Sequence, residues 1–448
     1  MTAVWWIRRD MRLADNGALA SAAARGEVIP LFVWEDSLLG AAGEIRKSFL
    51  FEALESLNAS TSGALVYRDG PAVGAVVEFC RMVGATSVHV TEDFAPWGRV
   101  RDEVVERTLT DNGVEFVRAD TPYVVRPGTV RKDDGTALKV FTPFYKRWLT
   151  HSWQSHDSAR ATFADASSHS VGTRRPTGWS AAAPLQASEK AAWDRFEEWS
   201  ARAMARYKDE RNNPAIDGTS MLSPYLKFGI VHPRQLLARL DASAGAEHFR
   251  SEIAWREFYA DVLHHQPRTA WENLQTKMDA IEIDSGDDAR EKFEIFCRGE
   301  TGYPIVDAGI RQMLGSGWMH NRVRMIVASF LVKDLHLPWQ WGAEFFMRHL
   351  VDADIASNNH GWQWTAGTGT DAAPYFRVFN PVSQGQKFDP AGDYVRRWVP
   401  ELADVDTKHI HEPWTLGVFA PAEYPPPMVD HAVEREVALA RYKAVSGK

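Results

Sequence analysis

The sequence predicts two kinds of fold in one chain: an α/β domain on a doubly wound parallel sheet (Rossmann-like), followed by an all-α domain. Residues 3–125 alternate short apolar strands with amphipathic helices, a pattern typical of parallel sheets. From about residue 191, apolar residues recur every 3.6 positions and strand patterns are nearly absent. Residues 126–190 are rich in Ser, Thr, Gly, Ala and Pro, which indicates a connection on the surface. We therefore predict domains at 1–125 and 191–448, joined by an inter-domain linker.

The elements of the first domain are predicted from its apolar runs. Strands are expected at 4–7, 28–34, 64–67, 87–91 and 114–117. Helices are expected between them at 16–24, 45–57, 73–83 and 100–111. No glycine-rich phosphate loop follows the first strand, so a nucleotide phosphate site is not supported there.

The linker and the second domain contain further helical patterns. A short helix is expected at 143–149 within the linker. In the second domain the period predicts helices at 233–240, 249–264, 306–315, 322–333 and, near the end of the chain, 431–445. Residues 361–386 look irregular, because Pro and Gly interrupt the pattern.

The composition disfavours several classes of protein. A net charge of −8 argues against indiscriminate coating of nucleic acid, but it leaves room for a local basic groove. Two cysteines, Cys80 and Cys297, are too few for a disulfide framework and point to a reducing cytoplasm. The N-terminus lacks a signal-peptide pattern, and no apolar run of about 18 residues predicts a membrane span. The histidines lack metal-ligand spacing and no hydrolase motif is present, so neither a metal site nor a hydrolase is expected.

Tryptophan is the compositional outlier. The chain has 18 tryptophans, and five of them fall in the stretch 318–364: Trp318, Trp339, Trp341, Trp362 and Trp364. A core that needed only packing would use Leu, Ile and Val. Here the tryptophans alternate with Arg, Asp and Asn, which indicates a pocket for a large, flat, partly charged ring system.

Charged residues in the same stretch form a second pattern. Arg322 and Arg324 are two positions apart, so on a helix they diverge by roughly 200° and should serve different partners. Asp352 and Asp354 are expected at a helix end or in a loop. An Arg–Asp pair here fits either an ordinary buried ion pair or a ligand site. Asn358 and the asparagine after it add amide donors, which favours the ligand site.

Two further groups each allow two interpretations. The hydroxyl-rich run 219–223 precedes a predicted helix, where hydroxyl groups either cap the helix or hold phosphate oxygens. Glu252, Trp255 and Arg256 share one helical face. This trio suits either recognition of a base-like edge or a salt bridge on the helix surface, and the residues alone leave both open.

Several long motifs follow one another along the whole chain. They are W-W-I-R-R-D-M-R-L-A-D-N-G-A-L (5–19), T-S-M-L-S-P-Y-L-K-F-G (219–229), E-I-A-W-R-E-F-Y (252–259), T-G-Y-P-I-V-D-A-G-I-R-Q (301–312), W-M-H-N-R-V-R-M (318–325), D-A-D-I-A-S-N-N-H-G-W-Q-W (352–364) and G-T-D-A-A-P-Y-F-R-V-F-N-P (369–381). Through them the chain resembles the DNA photolyase/cryptochrome family, and within it the class I cyclobutane pyrimidine dimer photolyases. The resemblance implies an antenna-binding photolyase domain at 1–125 and a helical FAD- and DNA-binding domain at 191–448.

The resemblance implies a reduced, U-shaped FAD in the helical domain. By motif position, Arg324 and Asp352 match the ion pair over the flavin ring, with Asp354 beside it. Asn358 matches the residue that faces flavin N5. The other implied FAD-binding residues are Tyr207, Thr219, Ser220, Met221, Leu222, Ser223, Phe249 and Ala353.

The resemblance also implies UV-damaged DNA as the partner. Photolyases are among the enzymes that flip their target out of the duplex, and excited reduced flavin then donates an electron to the dimer. Glu252 is implied to stabilise the dimer radical, and Asn321 to act beside it as a catalytic residue. The pocket for the dimer matches Glu252, Trp255, Asn321, Met325 and Trp364. The further implied DNA-binding residues are Arg211, Arg256, Arg322 and Gln384.

Family members also pass electrons from the surface to the flavin through three tryptophans. Trp362 and Trp339 match the inner and middle members. The outer one should fall near Gly286, where this sequence has no tryptophan. We therefore expect either slow photoreduction of oxidised flavin or an electron path that ends at another aromatic residue, Tyr303 or Trp341.

An antenna chromophore is implied as well. Arg46, Asp93 and Lys227 match positions in members that bind 8-hydroxydeazaflavin (8-HDF). Methenyltetrahydrofolate is the alternative, and an empty cleft with Lys227 as a surface residue is the third interpretation. The folate-binding members tend to lack this lysine, so we favour 8-HDF.

Two alternatives to dimer repair stay open, a cryptochrome-like photoreceptor and a (6-4) photolyase. A photoreceptor would be expected to carry a long signalling tail, whereas the chain continues only to Lys448 after Leu402. The histidine pair of (6-4) enzymes is replaced by Met319-His320-Asn321 followed by Met325. We expect a cytoplasmic monomer with no obligate protein partner.

Overall fold

The computed structural model describes residues 2–156, 161–172, 185–370 and 376–446. It contains two compact units. The first consists of Met1–Met204 and Ser220–Pro267, and the second of Ala205–Thr219 and Arg268–Lys448. These units and the predicted domains divide the chain differently, because residues 220–267 belong to the unit that contains the sheet.

The first unit is built on a parallel sheet of five strands within the described residues, as the strand–helix alternation predicts. The strands are β1 (Thr2–Trp6), β2 (Glu27–Trp34), β3 (Val66–Asp69), β4 (Ser87–Thr91) and β5 (Glu115–Asp120). Their order is β3-β2-β1-β4-β5, so β1 pairs in register with β2 on one side and β4 on the other. The order reverses at β1. Open sheets of this kind bind ligands at that switch point, outside the carboxyl ends of the strands.

Helices make up most of the remaining described chain. In chain order they are α1 (Gly17–Ala23), α2 (Asp36–Gly40), α3 (Glu44–Ser60), α4 (Ala72–Val83), α5 (Pro96–Asp111), α6 (Phe141–Trp148), α7 (Glu189–Ala203), α8 (Tyr207–Glu210), α9 (Ser223–Phe228), α10 (Pro233–Leu237), α11 (Ala244–His265), α12 (Asp287–Arg298), α13 (Pro304–Ser316), α14 (Asn321–Lys333), α15 (Trp339–His349), α16 (Ile355–Ala366), α17 (Pro381–Phe388), α18 (Asp393–Trp398) and α19 (His431–Ser446). In the described ranges, none of these helices is both long enough and apolar enough to cross a membrane.

The core of the first unit follows from the alternation of residues along its strands. Val4 and Trp6 pack with apolar residues of α4 and α5, such as Val76 and Val105. The side chain between them, Trp5, points to the other face of the sheet and is fully buried. Both faces of the sheet are therefore covered, as a doubly wound fold requires.

The predicted surface linker is partly buried. The short helix expected at 143–149 is present as α6, but its Phe144 and Trp148 are 1% and 0% exposed. They are buried because α6 packs against α11 in the same unit. Residues 157–160 and 173–184 of the predicted linker lie outside the described residues.

The prediction that 361–386 is irregular is wrong at both ends. α16 continues to Ala366 and α17 begins at Pro381, while 371–375 lie outside the described residues. Gly361 is tolerated inside α16, since one helical glycine costs only about 1 kcal/mol. Pro381 occupies the first turn of α17, where the missing N–H costs no hydrogen bond.

The second unit is a helical assembly around one apolar core. The core joins α12 to α16 with α18, through buried residues such as Phe296, Val327 and Phe346. Local signals set the helix ends: α13 begins with Pro304 in its first turn and ends before Gly317, whose φ of 69° suits glycine. The prediction of an α-helical region in the C-terminal part of the chain is confirmed.

Candidate active site

Helix α14 carries two arginines that serve different partners, as their spacing predicts. Arg322 donates from Nε and Nη2 to Oδ1 of Asn212, at 3.1 and 2.9 Å. Arg324 donates from Nη2 to Oδ2 of Asp352 at 2.9 Å, and from Nε to the carbonyl of Met319. One face of the helix thus holds a cation near the surface, and another holds an ion pair with a buried carboxylate.

The carboxylate of Asp352 is only half satisfied. Its residue is 8% exposed, and Oδ1 has no hydrogen-bond partner among the described residues. A buried acceptor without a partner costs roughly 1–3 kcal/mol. Such an atom fits a ligand that brings an N–H donor, and the imide edge of a flavin ring carries one. The residues present therefore fit FAD at this position.

Helix α16 begins beside this ion pair. Asp354 is its N-cap, accepting a hydrogen bond from the backbone N–H of Ser357, and Ala353 next to it is buried. One turn into the helix, Asn358 donates from Nδ2 to the carbonyl of Ala343 and to Oδ1 of Asn359. These bonds fix the plane of the Asn358 amide. The aspartates therefore do lie at a helix end, as predicted.

Two predicted members of the electron path are buried at α15 and α16. Trp362 is 2% exposed and packs edge-on against Phe346, with 4.9 Å between ring centres. Its ring lies directly over Gly342, where a Cβ atom would come within 2.1 Å of it. Trp339 is 4% exposed, and its Nε1 donates to Oδ1 of Asn273 at 2.8 Å. Both indoles are held in fixed orientations.

The proposed exits of the electron path have different surroundings. Tyr303 is 3% exposed, its hydroxyl donates to the carbonyl of Val429, and its ring lies 5.4 Å from that of Trp414. Trp341 is half-buried and packs against Phe293 at 5.3 Å. Either role stays a prediction.

A cationic surface in the second unit surrounds Arg322. The guanidinium of Arg322 lies 4.5 Å from the ring centre of Phe388, and the ammonium of Lys387 lies 5.2 Å from the same ring centre. Arg211, whose guanidinium lies over the Tyr207 ring, is close enough to lower the pKa of Arg322, although burial lowers it more. We call Arg211, Arg322 and Lys387 the cationic surface. The sequence prediction missed Asn212, Phe388 and Lys387, because only the fold brings these segments together.

The other predicted DNA-binding residues of this unit lie on three helices. Asn321 is exposed at the first position of α14, and Met325 is half-buried one turn later. Trp364 is half-buried on α16, with the guanidinium of Arg377 at 5.6 Å from its ring centre. Gln384 is half-buried on α17.

His320 is a residue that the sequence prediction did not assign. It is the N-cap of α14, and its Nδ1 accepts the backbone N–H of Arg322 at 3.1 Å. Burial, and then the nearby guanidinium groups of Arg322, Arg324 and Arg211, lower its pKa to about 3. The ring is therefore neutral with its proton on Nε2, which has no partner among the described residues. His320 thus caps the helix without adding charge to it.

The run 219–223 approaches α9 through a strained backbone. Met221 has a φ of 52°, in the left-handed region that side chains disfavour. Ser220 accepts a hydrogen bond at its carbonyl from Arg195 and one at its hydroxyl from the Leu222 N–H. Ser223 begins α9, and its N-cap, Leu222, makes no side-chain cap. The N-cap residue of α9 therefore provides no side-chain hydrogen bond to cap the helix. Thr219 is half-buried and is the last residue of the segment Ala205–Thr219 of the second unit.

Three predicted residues lie on one helix of the first unit, α11. Glu252, Trp255 and Arg256 are all half-buried. One face of Trp255 stacks on Phe141, with ring centres 3.8 Å apart and planes 8° apart. Arg256 donates to the carbonyls of Pro122 and Leu226.

The guanidinium of Arg256 therefore joins segments of the first unit, and its predicted contact with DNA stays a prediction. Phe249, nearer the start of α11, packs against Trp199 at 4.9 Å between ring centres.

The predicted antenna residues also lie in the first unit. Asp93 follows β4 at the switch point, and its Oδ2 lies 3.3 Å from Nη2 of Arg101. Burial opposes its ionisation, but the guanidinium groups of Arg101, Arg9 and Arg8 outweigh burial and lower its pKa.

Arg46 donates to the carbonyl of Ala41 on the approach to α3, and Lys227 is half-buried in the last turn of α9. No group of three or more His, Cys, Asp or Glu side chains within the described ranges is arranged for a metal ion.

Comparisons with known proteins define the class of protein. Family models described as "DNA photolyase" and "FAD binding domain of DNA photolyase" match residues 3–162 and 249–444. The chain is 40% identical to the deoxyribodipyrimidine photo-lyase of Vibrio cholerae, over 99% of each chain. The structure resembles that of a class III photolyase from Agrobacterium tumefaciens, with a TM-score of 0.91 and 35% identity over 100% of this chain and 98% of that one. A cryptochrome from Synechocystis is similar with a TM-score of 0.85 and 25% identity over 98% of each chain.

The chain belongs to the DNA photolyase family. The predicted family, fold class and photo-lyase enzyme class are confirmed by these matches. The FAD-binding domain supports FAD as the cofactor. The narrower assignment to class I stays a prediction.

Proposed function

We propose that this protein repairs cyclobutane pyrimidine dimers in DNA, using light to drive electron transfer from reduced FAD to a dimer that has left the base stack. The observation that carries the proposal is the division of α14 between Arg322 and Arg324. Two residues along a helix span only about 3 Å of its axis. One short piece of helix therefore bears both a phosphate-binding cation and the ion pair that the family motif places at the flavin.

The flavin side of the proposal rests on groups that are already oriented. Arg324 holds one oxygen of Asp352, and the second oxygen is left to accept an N–H from the ring. The fixed amide of Asn358 would hold the edge at N5. When bound, reduced FAD supplies light absorption and the electron, and the protein supplies position and electrostatics.

The DNA side rests on local charge. The cationic surface would bind phosphates flanking the lesion, despite the net charge of −8. Asn321 is exposed next to Arg322, so it can reach a base edge while Arg322 holds the backbone. Met325 and Trp364 would line the apolar and aromatic sides of the pocket. Glu252 and Trp255 in the first unit keep the roles that their motif implies: a hydrogen bond to the dimer and a stacking surface.

Illumination of defined lesions tests this function. Chemically reduced holoprotein is mixed with an oligonucleotide that contains one cyclobutane dimer, and a second sample with one (6-4) photoproduct. We expect light-dependent restoration of the thymines in the first sample, and no repair in the dark or of the second lesion. Repair of only the (6-4) product would identify a (6-4) enzyme. Binding without repair of either lesion would favour a cryptochrome-like photoreceptor.

We also propose an antenna chromophore in the first unit, with 8-HDF favoured over methenyltetrahydrofolate. The support is the acidic Asp93 at the switch point together with Arg46 and Lys227, the positions that match deazaflavin-binding members. The chromophore can be extracted from the protein and identified by its absorption. A deazaflavin spectrum is expected, and a folate spectrum would end this part of the proposal.

A further inference from the structure

A cavity of about 260 Å³ lies beside Trp339 in the second unit. Residues 281–283 line it, a few positions before Gly286, where the outer tryptophan of the family is missing. A cavity of roughly 150 Å³ is enough for a benzene ring. The cavity therefore has room for a small aromatic molecule in contact with the middle member of the electron path.

The wall of the cavity is mixed, with an aromatic and apolar part beside charged groups such as Asp279, Glu282 and Arg441. Trp339, Phe376, Leu337 and Ala438 are part of its wall. Thr368 also lines it and is 4% exposed, and the Oγ1 atom of this residue has no hydrogen-bond partner among the described residues. A buried hydroxyl of this kind fits a ligand that offers a polar edge.

The cations around the cavity already have partners within the protein. The ammonium of Lys333 donates to the carbonyl of Arg377 and lies 4.2 Å from the ring centre of Phe376. Arg441 pairs with Asp284 at 2.8 Å. Because these cations have partners, the cavity favours a neutral ring with a hydroxyl group over an anion.

We propose that this cavity binds a small, neutral aromatic reductant of the phenol or hydroquinone class, and that the ligand delivers electrons to Trp339. The inference rests on the proposed electron path. Trp362 would give one electron to the light-excited oxidised flavin and recover one from Trp339. The ligand then gives one electron to Trp339 and loses a proton to water, leaving its own neutral radical. The bound molecule takes the place of the missing outer tryptophan.

Saturation kinetics tests for a site. Flavin photoreduction in the oxidised holoprotein is followed under blue light and without oxygen at increasing concentrations of hydroquinone. We expect the initial rate to reach a plateau, and calorimetry to show one binding site with a matching half-saturation. A rate that stays proportional to concentration, or the lack of a heat of binding, overturns the proposal.

Filling the cavity tests its location. Ala438→Phe on α19 should remove the plateau and the heat of binding, and lower the rate at half-saturation at least fivefold. Ala440→Phe, on the exposed side of the same helix, is the matched control and should retain both. Ile283 is 49% exposed at the rim, so Ile283→Phe fills the opening even if the buried substitution prevents folding. Saturation that survives in both filled variants contradicts the assignment.

Two further measurements separate this inference from the proposed function. Trp339→Phe should keep the heat of binding but lose fast photoreduction by hydroquinone, and an unchanged rate would overturn the contact with Trp339. Dimer repair by chemically reduced protein should be unchanged in Ala438→Phe and Ile283→Phe. If wild-type protein repairs dimers but binds no hydroquinone, only the inference fails. If it binds hydroquinone with saturation but repairs no dimer, the proposed function fails instead.

Discussion

Arg322 and Arg324 show how much of a site can be predicted at the scale of single residues. Their spacing alone predicted different partners, and the structure gives them Asn212 and Asp352. The sequence could not predict Asn212, since it lies on a distant segment that only the fold brings to α14. That Oδ1 of Asp352 has no partner in the described part of the chain could not be predicted either, because it depends on which donors the fold brings near.

Arg322→Ala tests the cationic surface. We expect weaker binding to damaged and undamaged DNA alike. We also expect the negative slope of log affinity against log salt concentration to become shallower by about 0.9, as for one lost phosphate contact. Fluorescence anisotropy of a labelled oligonucleotide over a salt series measures both. Arg435→Ala, on α19 where the side chain pairs with Glu436, is the control and should change neither. An unchanged slope in Arg322→Ala would contradict the assignment.

At the scale of elements, buried carboxylates anchor α11, and Glu257 is one of them. Both oxygens of Glu257 accept hydrogen bonds, from the N–H groups of Val124 and Val125 and from Nε1 of Trp148. Burial raises the pKa of Glu257 to about 7, and these three donors only partly offset it. The helical period predicted α11, but it could not predict that a charged residue on its buried side holds α6 and the segment before it.

Glu257→Gln should destabilise the protein by about 1–3 kcal/mol, because an amide nitrogen cannot accept from the donors around it. The effect should depend on pH. The folded state binds the Glu257 proton more tightly than the unfolded state does, whose pKa is near 4.5. The stability that the Glu257 proton contributes to the wild type is therefore lost as pH rises from 4.5 to 7. The variant has no such proton and does not show this loss. Urea unfolding at pH 5 and 7 should show a larger wild-type advantage at pH 5, and an advantage that grows with pH would refute this.

The pairing of α15 with α16 gives a second prediction at this scale. In Gly342→Ala the new methyl group would lie 2.1 Å from the ring of Trp362, so the ring must move. We expect a loss of about 1–3 kcal/mol in unfolding free energy and a changed tryptophan fluorescence. Gly361→Ala in α16 has open space around it and should instead be neutral or stabilising by up to about 1 kcal/mol. Equal effects of the two changes would show that Trp362 does not rest on Gly342.

At the scale of the whole molecule, local patterns predicted the elements better than their grouping. Every predicted strand of the sheet is present, since strand–helix alternation is a local signal. The membership of 220–267 in the first unit depends on distant charges that pattern analysis does not see. Buried Arg12 donates to the carbonyl of Gly229, and Arg234 pairs with both Asp15 and Asp120. The roles predicted for the site residues came from the resemblance of whole motifs. Spacing alone could not decide whether the Arg–Asp pair is an ordinary ion pair or part of a ligand site.

Light-driven dimer repair by this protein is tested by the number of dimers repaired per light flash, measured on reduced holoprotein with saturating damaged DNA. We expect wild type to restore thymines in proportion to the number of flashes. We expect Arg322→Ala to reach the same yield once enough DNA is added, because that residue would bind phosphate and take no part in the electron transfer. If protein that holds reduced flavin and bound DNA restores no thymine after repeated flashes, it is not a dimer-repair enzyme.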